Sequence, residues 1–279
     1  MRTALALVLL LLPQDPGVKV EKDVEYLGPD RKEKLDLYLP TAEAPPKGFP
    51  AVLIIHGGGW SGGDKGAARE QNIGTTLAKA GYVGASVNYL LAKKQDSFAK
   101  TLAEVWPRNL HDCKLAVRWL RKHASKYRID PDHIGVIGGS AGGHLTAMVA
   151  LTSPADGLDP KEPWGDVSCR VQAAIPLYGV HDFVLMSKGG EDPELLKQGS
   201  PVTWATKDDP PVLIFHGTKD TTVPLVQSER LAEALKAAGI EHELVVVDGA
   251  PHSFHLEPKQ QDLRPKVLGF LDKHLKPKP

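Results

Sequence analysis

This sequence of 279 residues predicts an α/β fold on a mostly parallel central sheet, with antiparallel N-terminal strands and helices on both faces. Three observations carry the prediction. Two early runs, Val24-Glu25-Tyr26 and Leu35-Asp36-Leu37-Tyr38-Leu39, alternate apolar and polar as half-exposed antiparallel strands do. The next run, Ala51-Val52-Leu53-Ile54-Ile55, is apolar throughout, as a strand covered on both sides must be. From there β and α patterns alternate to the C-terminus.

Taken in order, residues 1–17 read as a secretory signal. Arg2 supplies the positive start, and Ala4 to Leu12 form an apolar run of about nine residues, inside the usual range for such segments. A membrane-spanning helix needs about 20, so stable membrane insertion is not expected. Pro13-Gln14-Asp15-Pro16-Gly17 ends the run. The expectation is a secreted or periplasmic protein with one domain over residues 18–279.

After the antiparallel strands, Ala44-Pro45-Pro46-Lys47-Gly48 bridges to the first buried strand. The pattern then predicts a helix from about Ala68 to Ala80, a strand from Tyr82 to Asn88 and a helix from Leu110 to Ala124. A strand over 134–137 leads to a buried helix at Leu145–Leu151. Strands follow at Val171–Leu177, Val212–Phe215 and Leu244–Val247. A helix at Leu225–Ala238 stops at Gly239, and a final helix closes the chain. Residues 90–109 and 179–210 break this rhythm. Connections of that length commonly shape a binding site, and neither is long or apolar enough to be a domain.

Composition excludes several classes of function. Apolar content is 42% and charged content 24%, near the globular average. Lys+Arg and Asp+Glu both number 34, so nothing electrostatic points to nucleic acid or an anionic membrane surface. The two cysteines, Cys113 and Cys169, lack metal-type spacing, and no histidine pair has zinc-ligand spacing. No metal and no cofactor are expected. Export would place both thiols in an oxidising compartment, and their pairing depends on a distance the sequence does not contain.

The chain is organised around Gly138-Gly139-Ser140-Ala141-Gly142-Gly143-His144, between the strand Ile134-Gly135-Val136-Ile137 and the helix that follows. Strand, Gly-x-Ser-x-Gly, helix is the context in which this motif lifts a serine hydroxyl from a sharp turn. A Cβ at Gly138 or Gly142 would collide with neighbouring backbone. The helix N-terminus beneath Ser140 adds partial positive charge and free N–H groups where negative charge would develop.

Three further loops follow predicted strands. His56-Gly57-Gly58-Gly59-Trp60 can turn backbone N–H groups inward as an oxyanion hole, with Gly58 and Gly59 joined by Ala141. Trp60 either lines the substrate pocket or covers the loop. Asp220, after the strand at 212–215, is placed to orient a histidine, with Asp182 and Asp248 as rivals. His252 follows the last strand, where an imidazole can act first as base and then as acid, with His255 as competitor. Lys219 is expected to face solvent. His144 is expected to be packed, His56 and His216 to brace their loops, and His111, His123 and His133 to lie at the surface.

From Leu35-Asp36-Leu37-Tyr38-Leu39-Pro40 through His56–Trp60, Asn88-Tyr89, the Asp112–Arg121 helix and Gly138–His144 to the Asp220 and His252 loops, the chain resembles an α/β-hydrolase. Within that superfamily it is similar to the esterase/lipase group with the His-Gly-Gly-Gly-Trp loop, near the BD-FAE-like carboxylesterases. The resemblance runs from about Val24 to the C-terminus, and the order Ser140, Asp220, His252 is that of the α/β-hydrolase triad. It implies a hydrolase catalytic domain over residues 18–279. Ser140 would be its nucleophile, His252 the base, Asp220 its orienter, and Gly58, Gly59 and Ala141 the oxyanion donors. It departs from the family at Leu90, where an arginine usually follows the Asn-Tyr pair. The implied activity is a serine carboxylesterase. The mixed apolar and charged composition of residues 90–109 and 179–210 offers no long apolar groove, so short-chain acyl esters are expected, with a small-molecule or carbohydrate ester as substrate. The alternatives are a peptidase on the same fold and a hydrolase-like binding protein without turnover.

Overall fold

In the computed structural model, which describes residues 17–276 apart from 94, 188 and 190, strand pairing runs through eight segments. They are β1 (Val18–Glu25), β2 (Lys34–Pro40), β3 (Phe49–Ile55), β4 (Val83–Val87), β5 (Ile129–Gly139), β6 (Ala173–Leu177), β7 (Val212–Gly217) and β8 (His242–Val247). The sheet order is β1-β2-β4-β3-β5-β6-β7-β8. Strand β2 runs antiparallel to both its neighbours, and every pairing from β4 to β8 is parallel. The helices are α1 (Ala68–Lys79), α2 (Phe98–Val105), α3 (Arg108–Lys122), α4 (Ala124–Tyr127), α5 (Ala141–Leu151), α6 (Pro193–Gln198), α7 (Val226–Ala238) and α8 (Arg264–Leu275).

Strand β3 shows why its sequence is apolar at every position. Successive side chains point to opposite faces of a sheet. Ala51, Leu53 and Ile55 pack with Leu110 and Val117 of α3, Leu145 of α5 and Leu231 of α7. Val52 and Ile54 pack on the other face with Ile73 and Leu77 of α1 and Val267 and Leu271 of α8. Both faces are covered, and each buried aliphatic side chain contributes about 1.5–3 kcal/mol. The edge strand β8 keeps the mixed pattern its position demands, with Val246 43% exposed.

Three elements differ from the sequence expectation. Strand β1 begins at Val18, six residues before the predicted Val24. Strand β5 starts five residues before the predicted Ile134, because Ile129 pairs with Phe49 across an irregularity that Asp130-Pro131-Asp132 disguises. The stretch 90–109, expected to be irregular, contains α2. Ser97 caps it by accepting the Lys100 N–H at 3.2 Å, and Ala99, Leu102 and Val105 face the core. Two turns are too few for a 3.6-residue period to stand out from the polar residues between. The stretch 179–210 holds α6 between two 3₁₀ turns and packs Phe183 and Leu196 into the main core.

Cys113 and Cys169 are both buried free thiols. The expected signal at 1–17 lies, but for Gly17, outside the described residues. No helix among the described residues is long and apolar enough to cross a membrane.

Candidate active site

The loops singled out in the sequence leave the C-terminal ends of β3, β5, β7 and β8, the edge where parallel α/β sheets place their sites. Ser140 sits between β5 and α5 at φ 58°, ψ −122°, a conformation that costs about 1–3 kcal/mol and persists only when its surroundings hold it. Its N–H donates to the Leu177 carbonyl at 2.9 Å, and its carbonyl accepts from the His144 N–H at 3.0 Å. The flanking glycines are required by close approach. A Cβ at Gly142 would lie 2.1 Å from the Ile55 oxygen, and one at Gly138 2.6 Å from the same atom. This contact locks the elbow against β3.

The His56–Trp60 loop uses its glycines for two reasons. Gly58 (φ 114°) and Gly59 (φ 60°) have left-handed backbones. Gly57 is pressed against the elbow, where a Cβ would lie 3.2 Å from that of Ser140. Among the described residues, the N–H groups of Gly58, Gly59 and Ala141 have no hydrogen-bond acceptor. The Ala141 N–H follows the serine directly, and the loop that carries Gly58 and Gly59 is pressed against Ser140 at Gly57.

Ser140 Oγ lies 2.9 Å from His252 Nε2, and His252 Nδ1 lies 2.6 Å from Asp220 Oδ2. A carboxylate only accepts, so Nδ1 carries the proton and Nε2 accepts from the serine. Asp220 Oδ1 accepts the N–H groups of Thr222 and Val223, each at 2.9 Å. His216 adds a longer contact, its Nε2 lying 3.3 Å from Asp220 Oδ2. Burial alone would push the Asp220 carboxyl up. The hydrogen bonds from His216, His252 and the Val223 N–H outweigh it and hold the group well below the usual carboxylate range. The carboxylate is charged while fully enclosed.

The rival residues are used elsewhere. Asp182 accepts the Val184 N–H at 3.0 Å, and Asp248 accepts from the Thr218 hydroxyl at 3.0 Å. His255 and Lys219 are exposed. His216 braces its loop, accepting from Ser228 Oγ at 2.7 Å through Nδ1 and donating to the Val223 carbonyl at 2.9 Å through Nε2. His56 lies stacked on Tyr89 at 4.4 Å.

Trp60 corrects the expectation of a substrate contact. It is 1% exposed, and its ring packs against Phe98 of α2 at 5.7 Å and Phe183 at 5.4 Å. Its indole N–H donates to His144 Nδ1 at 3.1 Å, and His144 Nε2–H donates to the Gly199 carbonyl at 2.8 Å. The helix within 90–109, not visible in the sequence pattern, is what encloses it. Trp60 therefore ties its own loop to α5 and, through His144, to the segment before β7. Burial pushes the pKa of His144 down to about 4, which keeps the ring neutral and able to accept the indole proton.

Sequence reasoning missed two arrangements around this site. Beside Leu90, Arg31 from the β1–β2 connection pairs with Asp112 of α3. Its Nη2 bonds Asp112 Oδ2 at 2.7 Å, and that oxygen also accepts the Leu90 N–H at 2.8 Å. The second is the buried group Arg69, Glu70 and Tyr178 beneath the elbow. Only Gly139, a glycine at a position where the motif allows any residue, hinted at crowding there.

The BD-FAE family profile matches residues 35–235, well over half of the chain, and a TAP-like protein profile matches 195–279. Esterase LipQ of Mycobacterium tuberculosis is 31% identical over 89% of this chain. The chain spans 62% of the length of that relative and 59% of esterase LipC from the same organism. Among solved structures, the truncated form of a carbohydrate esterase from gut microbiota superposes with a TM-score of 0.79. It is 26% identical and covers 94% of this chain and 98% of its own. The thermophilic esterase Est2 of Thermogutta terrifontis with propionate bound superposes with a TM-score of 0.71, at 29% identity over 96% of this chain and 98% of its own. The strand order, the elbow and these matches agree, and the chain belongs to the BD-FAE family of α/β-hydrolases.

Proposed function

We propose that this protein is a serine carboxylesterase that hydrolyses short-chain acyl esters, carbohydrate esters among them. The observation that carries the reading is the hydrogen-bonded series Ser140 Oγ–His252–Asp220, at 2.9 and 2.6 Å, beside unclaimed N–H donors. Ser140 Oγ attacks the ester carbonyl as His252 Nε2 takes its proton, and Asp220 stabilises the imidazolium. The N–H groups of Gly58, Gly59 and Ala141 receive the oxyanion, where each such donor is worth about 3 kcal/mol. Collapse expels the alcohol, which leaves with the proton from His252. Water, deprotonated by His252, then attacks the acyl-enzyme and releases the acid.

Short acyl groups are favoured because large apolar side chains around the His56–Trp60 loop are used up in packing, although Val184 and Leu185 stand exposed. Each buried methylene contributes about 0.8 kcal/mol, so a long acyl chain needs an extensive apolar groove. Trp60, Leu102, Phe183 and Leu196 are buried in the core instead. The resemblance to a carbohydrate esterase and to an esterase holding propionate supports the same substrate class.

On p-nitrophenyl esters, kcat/KM is expected to peak between acetate and butyrate and to fall steeply by octanoate. Ser140→Ala is expected to lose on the order of a million-fold in kcat and to escape fluorophosphonate labelling. A maximum at decanoate would overturn the substrate class, and a tenth of the activity surviving in Ser140→Ala would overturn the nucleophile. We also propose that residues 1–17 direct export. Mass spectrometry of the N-terminus from the native host tests this, and an intact Met1 in a cytoplasmic fraction would refute it.

A further inference from the structure

We infer that Arg69 and Tyr178 form a positioning pair for His252, fixing the loop from which its Nε2 meets Ser140. The inference rests on the reading of the site given above. The His252 loop holds an unusual backbone, because Ser253 has φ 63°. A non-glycine residue there stays in place only if neighbouring contacts hold it. The contact comes from Tyr178, just beyond β6, whose hydroxyl donates to the Phe254 carbonyl at 2.8 Å. The Tyr178 ring also stands edge-on to His252 at 5.0 Å and to Phe254 at 4.6 Å.

Tyr178 is held in turn by Arg69, the second residue of α1, whose Nη1 donates to the phenol oxygen at 2.9 Å. Glu70, 2% exposed, fixes the guanidinium by accepting its Nε–H at 2.9 Å. The phenol receives one charge-assisted bond from Arg69 and gives a neutral one to a backbone carbonyl, an arrangement in which each bond strengthens the next. The group reaches three of the four loops of the site. A Cβ at Gly139, next to Ser140, would lie 2.6 Å from Arg69 Nη1 and 2.8 Å from the Tyr178 hydroxyl. A Cβ at Gly57 in the oxyanion loop would lie 3.4 Å from Arg69 Nη2. Elbow, oxyanion loop and histidine loop are thus referenced to one largely enclosed cation, its side chain 12% exposed. A phenylalanine would fill the same space, so the hydroxyl serves only the Phe254 carbonyl and Arg69.

The test is Tyr178→Phe, which keeps the ring against His252 and removes one oxygen. Two rates are measured per fluorophosphonate-titrated site: kcat on p-nitrophenyl acetate, and phosphonylation of Ser140. A misplacement of about 1 Å can cost a hundredfold. Both rates are expected to fall about tenfold or more with KM unchanged. A purely structural role would lower the titratable fraction and the Tm while leaving the per-site rates alone. The double substitution Arg69→Gln/Glu70→Gln removes the buried ion pair without stranding either charge, and is expected to slow both rates likewise. Per-site rates within about twofold of wild type in both variants would overturn the inference. If the wild type hydrolyses no ester, the esterase reading fails, and the phosphonylation rates still decide this one.

Discussion

His144→Gln isolates the contribution of one buried neutral histidine to both stability and the shape of the site. Glutamine supplies the two atoms the position needs, an acceptor for the Trp60 indole N–H and a donor to the Gly199 carbonyl, and does not titrate. In the folded protein the His144 ring protonates at about 4, against 6.5 as the ordinary value. Above pH 6.5 neither state binds the proton, and the full stability is present. Between 6.5 and 4 the unfolded chain binds it and the native state does not, so stability falls as pH falls. A tenfold difference in proton affinity is about 1.4 kcal/mol, so the wild type is expected to lose about 2.5 kcal/mol through this residue by pH 4.5. Urea unfolding followed by tryptophan fluorescence at pH 7.5 and pH 4.5, on both proteins, measures it. The variant's stability is expected to fall by about 2.5 kcal/mol less over that interval. Equal losses to within about 0.5 kcal/mol would show that His144 is not held neutral by burial.

Other outcomes follow from the same geometry. Gly142→Ala, with its Cβ 2.1 Å from the Ile55 oxygen, is expected to cost about 3 kcal/mol or to prevent folding, read by thermal melting. Lys114→Met takes the nearer cation from the half-buried Asp159 carboxylate and leaves it Arg118 Nη2 at 3.9 Å, at a cost of about 1–3 kcal/mol in the same melt. Burial pushes Cys169 up to about 11 and raises Cys113 as well, so iodoacetamide should alkylate both only in denaturant. His252→Ala should abolish the acyl-enzyme burst while His255→Ala changes rates only modestly; the reverse ranking would give the role to His255.

What the sequence alone determined was whatever depends on neighbours along the chain. The unbroken apolar run 51–55 announced a strand covered twice, and the Gly-x-Ser-x-Gly between strand and helix announced a strained turn. Loops after three separate strands named Ser140, Asp220 and His252, and the parallel sheet carries those strand ends to one edge, where the three side chains meet. What only the tertiary structure decided was contact between residues far apart in sequence. Whether Trp60 faced substrate or core depended on Phe98 and Phe183, and it went to the core. Which cation Asp112 found depended on Arg31, 81 residues away. The bond from Arg69 to Tyr178 spans 109 residues. Periodicity and turn chemistry are local properties, set by backbone sterics and by which face of an element is dry. The partner of a buried polar group is chosen by a search in space, because each such group must be satisfied by whatever the fold brings within about 3 Å.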